Sequence, residues 1–175
     1  REMPISILYS DLRHYQDTIP LEDNTGKATL WETALYPETQ MQELNEGLIE
    51  IYSILKSDGA THINHLSVDR IDYCEFGNSK PFRVKIINQI NDNYDYFYVK
   101  KIDASRIYGL ELEHILSPNK INYFVYKDTI IEEHIVGIPG DQFIEVNLKE
   151  EGHNEVRLAK EFVKFNERCF IRLLG

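Results

Sequence analysis

The stretch Phe82-Arg83-Val84-Lys85-Ile86 alternates apolar and basic residues. That is the period of a strand with one buried and one wet face. Turn-forming residues bracket it, Gly77-Asn78-Ser79-Lys80 before and Asn91-Asp92-Asn93 after. Strands joined by turns this short must pair antiparallel. Leu66 to Tyr73 and Tyr94 to Ile102 flank it with β-branched and aromatic residues, so the pattern predicts a three-stranded meander.

Beyond the meander the period becomes helical. Ser105 is a cap, Ile107, Leu110, Leu112, Ile115 and Leu116 supply an apolar face, and Pro118 ends the run. Ile121 to Tyr126 and Thr129 to Val136 read as two more strands around the Lys127-Asp128 turn. Gly137-Ile138-Pro139-Gly140 then breaks regular structure. A long helix is expected from about Asn154 to Leu173, with Val156, Ala159, Phe162, Val163, Phe170 and Leu174 available for burial.

Ahead of the meander, Leu44, Leu48, Ile51 and Leu55 recur at helical spacing. This helix is expected to begin after Pro37, which suits a first turn. A shorter helix is expected between Ile5 and Tyr15, and the loop Glu22-Asp23-Asn24-Thr25-Gly26 separates the two. The Ser57-Asp58-Gly59 turn marks a soft boundary. The resulting division is a helical cap over 1–60, a sheet with one packed helix over 61–136, and a break and long helix over 137–175. The fold class is α+β, with a five-stranded antiparallel sheet.

Charge narrows the function classes. The 175 residues carry 19 Lys+Arg against 29 Asp+Glu, a net charge of −10. Such a balance argues against a chain that coats nucleic acid. Residues 1–61 hold 4 basic and 11 acidic residues, which makes the cap an ordinary amphipathic helical layer or a docking surface for a basic protein partner. Cys74 and Cys169 are too few for a disulfide framework, and reduced thiols in the cytoplasm are expected. No apolar run approaches the roughly 20 residues of a membrane span. The sequence opens on Arg1 and stops on the apolar Cys169-Phe170-Ile171-Arg172-Leu173-Leu174-Gly175, which reads as a fragment.

Three strands, a helix, two strands and a glycine break resemble the small lobe of a protein-kinase-like fold. Thr129-Ile130-Ile131-Glu132-Glu133-His134-Ile135-Val136-Gly137 is similar to the strand and hinge of aminoglycoside phosphotransferases. A kinase lobe needs a cation on its third strand, a carboxylate on the following helix and a hinge that meets adenine. By this resemblance Lys100, following Val99 as the kinase lysine follows an apolar residue, holds the nucleotide phosphates, with Lys101 as the alternative one register step away. Glu113 orients it, with Glu111 as the rival, since only one of the two can face the sheet. Gly77, Ser79 and Lys80 cover the phosphates, although the full glycine set of the kinase loop is missing. Glu133, His134 and Ile135 meet adenine through backbone groups. ATP and Mg²⁺ are the implied cofactors, with the magnesium ligands and catalytic Asp outside this chain, so that this chain alone is expected to transfer no phosphate. The residues do not specify the phosphate acceptor.

Other chemistries have thinner support. His62 and His65 with Asp69 and Asp72 do not form the three or four converging ligands a metal needs. Cys74 has no evident His partner for nucleophilic catalysis. Tyr94, Tyr96 and Tyr98 with Arg83, Lys85, Lys100 and Lys101 suggest a basic aromatic face of the kind that stacks single-stranded bases, against which the net acidity argues. The second class is a non-enzymatic partner-binding scaffold, which would tolerate loss of Lys100 and Glu113.

Overall fold

In the computed structural model the alternation of Phe82–Asn88 becomes a strand flanked by two others, and the sheet continues past both. The structure describes residues 2–57, 65–76, 79–117, 120–138, 140–145 and 155–174. The elements run α1 (Tyr9–Leu12), β1 (Asp17–Glu22), β2 (Ala28–Leu35), α2 (Glu38–Ser57), β3 (Leu66–Tyr73), β4 (Phe82–Asn88), β5 (Tyr94–Lys101), α3 (Ala104–Leu116), β6 (Tyr123–Tyr126), β7 (Thr129–Glu133), α4 (Gly140–Glu145) and α5 (Glu155–Leu174). Among the described residues seven strands join one sheet, ordered β1-β2-β3-β4-β5-β7-β6. Every neighbouring pair is antiparallel.

The expected five strands are therefore seven, and the first sixty residues are not wholly helical. Asp17–Glu22 and Ala28–Leu35 form a hairpin on the edge of the meander. The Glu22–Gly26 loop is its turn: Gly26 takes φ +79, its N–H donates to the Asp23 carbonyl, and the Asp23 N–H donates to the Lys27 carbonyl. Glycine carries that left-handed backbone without strain. Pro20 lies in β1, the edge strand, where a missing N–H does no harm. The first helix is one short turn, with the Asp11 carboxylate accepting from the Leu8 N–H at 2.8 Å.

The chain packs as two units, Arg1–Asp103 with Asn122–His134, and Ala104–Ile121 with Ile135–Gly175. In the first, the expected stripe Leu44, Leu48, Ile51 and Leu55 is the buried face of α2, joined in one core by Tyr9, Leu12, Ile71, Tyr73, Phe82, Val84, Ile86, Phe97, Val99, Phe124 and Ile131. The alternation expected of β4 is kept, with Phe82, Val84 and Ile86 buried. Tyr52 Oη and Lys56 Nζ, on α2, donate to Asp95 Oδ2 on β5 at 3.0 and 2.7 Å. Burial pushes the Asp95 carboxyl up, but the hydrogen bonds from Lys56, the Tyr96 N–H and Tyr52 outweigh it, so its pKa lies below the ordinary value.

The second unit holds α3, α4 and α5. Arg172 on α5 donates to the Ser117 carbonyl at 2.6 Å. Leu110 is buried in α3, whereas Leu112 and Ile115 of its expected apolar face stand exposed. Val156, Phe162, Val163 and Phe170 of α5, expected to be buried, stand exposed. Gly140 opens the short helix α4, where only a break in regular structure was expected.

Gly47 lies in α2 against Ile7 and Ser6: a Cβ there would collide with Ile7 Cγ1 and stand 2.9 Å from Ser6 Oγ. Helix propensity alone would favour Gly47→Ala by about 1 kcal/mol. We expect instead a net loss of about 1–3 kcal/mol from overpacking, read as a lower urea midpoint at unchanged slope. A raised midpoint would contradict this packing. The depressed Asp95 pKa makes a second prediction. Its stabilisation is present above the unfolded value of about 3.9 and fades as pH falls through the lower folded value. The stability gap between wild type and Asp95→Asn should therefore be widest near neutrality and close in acid, and a gap that stays constant would refute it.

Candidate functional site

Register assembles a polar row on the sheet face opposite the buried core. Thr33 pairs with Asp72, Asp72 with Arg83, Arg83 with Tyr98 and Tyr98 with Glu132. Directly opposed residues of adjacent strands share a face, so five strands contribute one side chain each. Phe97 and Val99 point the other way into the core. This is the side-to-side split that alternation predicts for Tyr94, Tyr96 and Tyr98 against Phe97.

The row is ordered by charge. Asp72 is fully buried. Its carboxylate accepts from Arg70 Nε at 2.9 Å, from Arg83 Nη2 at 2.7 Å and from the Thr33 hydroxyl at 3.1 Å. The Arg83 guanidinium carbon stands 4.4 Å from the Trp31 ring centroid and 5.1 Å from that of Tyr96. Trp31 also approaches Tyr98, centroid to centroid, at 6.2 Å. Farther along, Lys100 Nζ donates to Glu132 Oε2 at 2.6 Å, with only 16% and 4% of the two side chains exposed. The Lys100 ammonium stands 5.3 Å from the Tyr98 ring centroid. The Tyr98 hydroxyl meets His134 Nδ1 at 3.1 Å. Burial raises the Tyr98 pKa, the Arg83 charge opposes that, and Tyr96 and Glu132 add to it.

The residues singled out from sequence fall in several places. Lys100 is in this cluster, whereas Lys101 is exposed at the strand end. Glu113 belongs to α3 in the second unit, where its carboxylate accepts from the Ile121 N–H at 3.4 Å. Glu111 lies on the same helix. Gly77 lies outside the described residues. Ser79 and Lys80 sit in the β3–β4 connection; Lys80 has φ +38, and its ammonium is 3.7 Å from Glu75. Glu133 closes the mouth of the β6–β7 hairpin. Its N–H donates to the Asn122 carbonyl at 3.0 Å, and its carboxylate accepts from the Asn122 N–H at 2.7 Å. His134 ends the first unit against Tyr98, and Ile135 opens the second with its side chain exposed.

Glu132, Asp72, Trp31 and Thr33 were not singled out for this cluster. Glu132 sits two residues before His134, so a period-two reading of β7 could have put both on one face. Nothing local shows that this face meets Lys100, because that depends on β7, not β6, lying beside β5. His62 lies outside the described residues, and among the described residues no group of three or more His, Cys, Asp or Glu gathers as for a metal. No family model, curated protein or solved structure matches this chain.

Asp72→Ala leaves two partly buried guanidiniums without their carboxylate. We expect a loss of about 2–4 kcal/mol, somewhat below that of a fully buried pair because both arginines are partly wet. Urea denaturation measures it, and a loss under about 0.5 kcal/mol would mean that solvent already satisfies both arginines.

Proposed function

We propose that this chain is the nucleotide-binding half of a kinase-like phosphotransferase, with ATP as ligand and Lys100 as the phosphate-holding cation. The observation that carries the reading is the largely buried Lys100–Glu132 pair. A lysine is useful to a triphosphate only if its ammonium is held at one point while N–H donors remain for phosphate oxygens. Glu132 takes one donor from Lys100 at 2.6 Å and so performs the orienting task that the sequence reading gave to Glu113. The carboxylate comes from the same sheet, on the strand that leads into Glu133, His134 and Ile135.

Sheet order supports the same reading. The meander β3-β4-β5 is followed by a helix and a hairpin whose second strand, β7, returns beside β5. The Lys-bearing strand and the strand entering the hinge candidate are thereby neighbours, as a kinase-like lobe requires. In this reading Lys100 attracts the α- and β-phosphates, Ser79 and Lys80 add an N–H, a hydroxyl and a charge above them, and the backbone after β7 meets adenine. Mg²⁺ would travel with the triphosphate; no described cluster of this chain is assigned to it.

A partner-binding scaffold is the rival reading, and one observation favours it. The cations of the polar face are matched by carboxylates, Lys85 by Asp69, Arg83 by Asp72 and Lys100 by Glu132, a pattern that also serves stability alone.

Calorimetric titration with MgATP decides between them. We expect Lys100→Ala to weaken binding about tenfold or more, the worth of a charge-assisted hydrogen bond, while Lys101→Ala stays within about twofold of wild type. Circular dichroism checks that Lys100→Ala remains folded. Equal affinity of the wild type and a folded Lys100→Ala chain, or no MgATP binding by the wild type, would favour the scaffold.

A further inference from the structure

Tyr9 is anchored at three points. Its N–H donates to Thr129 Oγ1, the first residue of β7, at 2.8 Å. Its ring meets Phe82, the first residue of β4, edge-on at 5.5 Å. Its hydroxyl donates to the Lys80 carbonyl at 2.9 Å. Main chain and ring are thus pinned to the sheet, and the hydroxyl is the group that reaches into the β3–β4 connection.

The residue it reaches is strained. Lys80 has φ +38, in the left-handed region that side chains with a Cβ avoid. It also precedes Pro81, which pushes its neighbour toward extended backbone. Such conformations persist where the surroundings hold them. The Tyr9 hydroxyl on the Lys80 carbonyl supplies that hold from one side, and the Cys74 N–H on the Pro81 carbonyl, at 3.0 Å, closes the base of the connection.

We propose that Tyr9 is a positioning residue for the phosphate grip: its hydroxyl holds the Lys80 backbone, from which the exposed ammonium, 3.7 Å from Glu75, exchanges that carboxylate for a nucleotide's phosphates. The inference rests on the nucleotide-binding reading above. Tyr9 touches no ligand and acts only through Lys80, so its effect depends on Lys80 and on phosphate.

A double-mutant cycle on the full chain tests this, with MgATP and adenosine as calorimetric ligands. Tyr9→Phe keeps the ring and removes the hydroxyl. We expect it to weaken MgATP about fivefold, the worth of one hydrogen bond. Lys80→Ala should weaken MgATP at least as much, the double variant should bind no more weakly than Lys80→Ala, and adenosine affinity should not change. Thr129→Val, which releases the main chain of Tyr9 without touching the connection, should also weaken MgATP and add nothing to Tyr9→Phe. Multiplying losses in the cycle, an unchanged Tyr9→Phe, or an equal loss for adenosine overturns the proposal. Wild type that binds no MgATP overturns the nucleotide reading and this inference together, whereas wild-type binding with an additive cycle overturns the inference alone.

Discussion

The α2 stripe of Leu44, Leu48, Ile51 and Leu55 covers one face of the sheet, and that one-sided burial governs the first unit. A strand slipped by one residue sends its apolar set to water and its polar set into the core. Phe82, Val84 and Ile86 on β4, with Phe97 and Val99 on β5, therefore lock their strands to a single register. Fully burying such side chains is worth about 1.5–3 kcal/mol each. No exposed ion pair approaches that, so burial sets the register and the charges follow.

The consequence appears on the opposite face. Once register is set, Asp72, Arg83, Tyr98 and Glu132 must stand in line. A fully buried carboxylate is costly unless it is paired and hydrogen-bonded. Asp72 meets that demand with two guanidiniums and a hydroxyl. The Trp31 and Tyr96 rings add cation–π contacts to the Arg83 guanidinium. The hairpin β1–β2 thus adds Trp31 and Thr33 to this network as well as lengthening the sheet. Lys100 and Glu132 repeat the scheme nearer the β7 end.

Much of the framework was legible in the residues. The α2 stripe, strands β3 to β7 and α3 follow from periods of 3.6 and 2 read against turn residues, and structure and pattern agree on them within a few positions. The hairpin β1–β2 escaped because Pro20 and a mixed exposure pattern hide the alternation of an edge strand. Its turn, Asp23-Asn24-Thr25-Gly26, was visible and was read as a separator between helices. In α5, periodicity correctly indicated a helix, yet Val156, Phe162, Val163 and Phe170, expected to be buried, stand exposed, as do Phe165 and Ile171. Period identifies an apolar stripe and does not supply the surface that covers it.

Lys100 was legible as a lysine after an apolar strand residue; its carboxylate partner was not. Glu132 is 32 residues away in sequence, and local pattern offers Glu111, Glu113, Glu132 and Glu133 on nearly equal terms. The sequence by itself determined the α+β class, the antiparallel meander and the alternating faces, because these follow from dihedral preference and from burying apolar side chains within a few residues of one another. Only the tertiary structure decided that β7 lies beside β5, that Glu132 is the residue meeting Lys100, and that Trp31 and Asp72 share a face with both. Those are long-range pairings, chosen by the free energy of the whole packed sheet, which no local window of sequence contains.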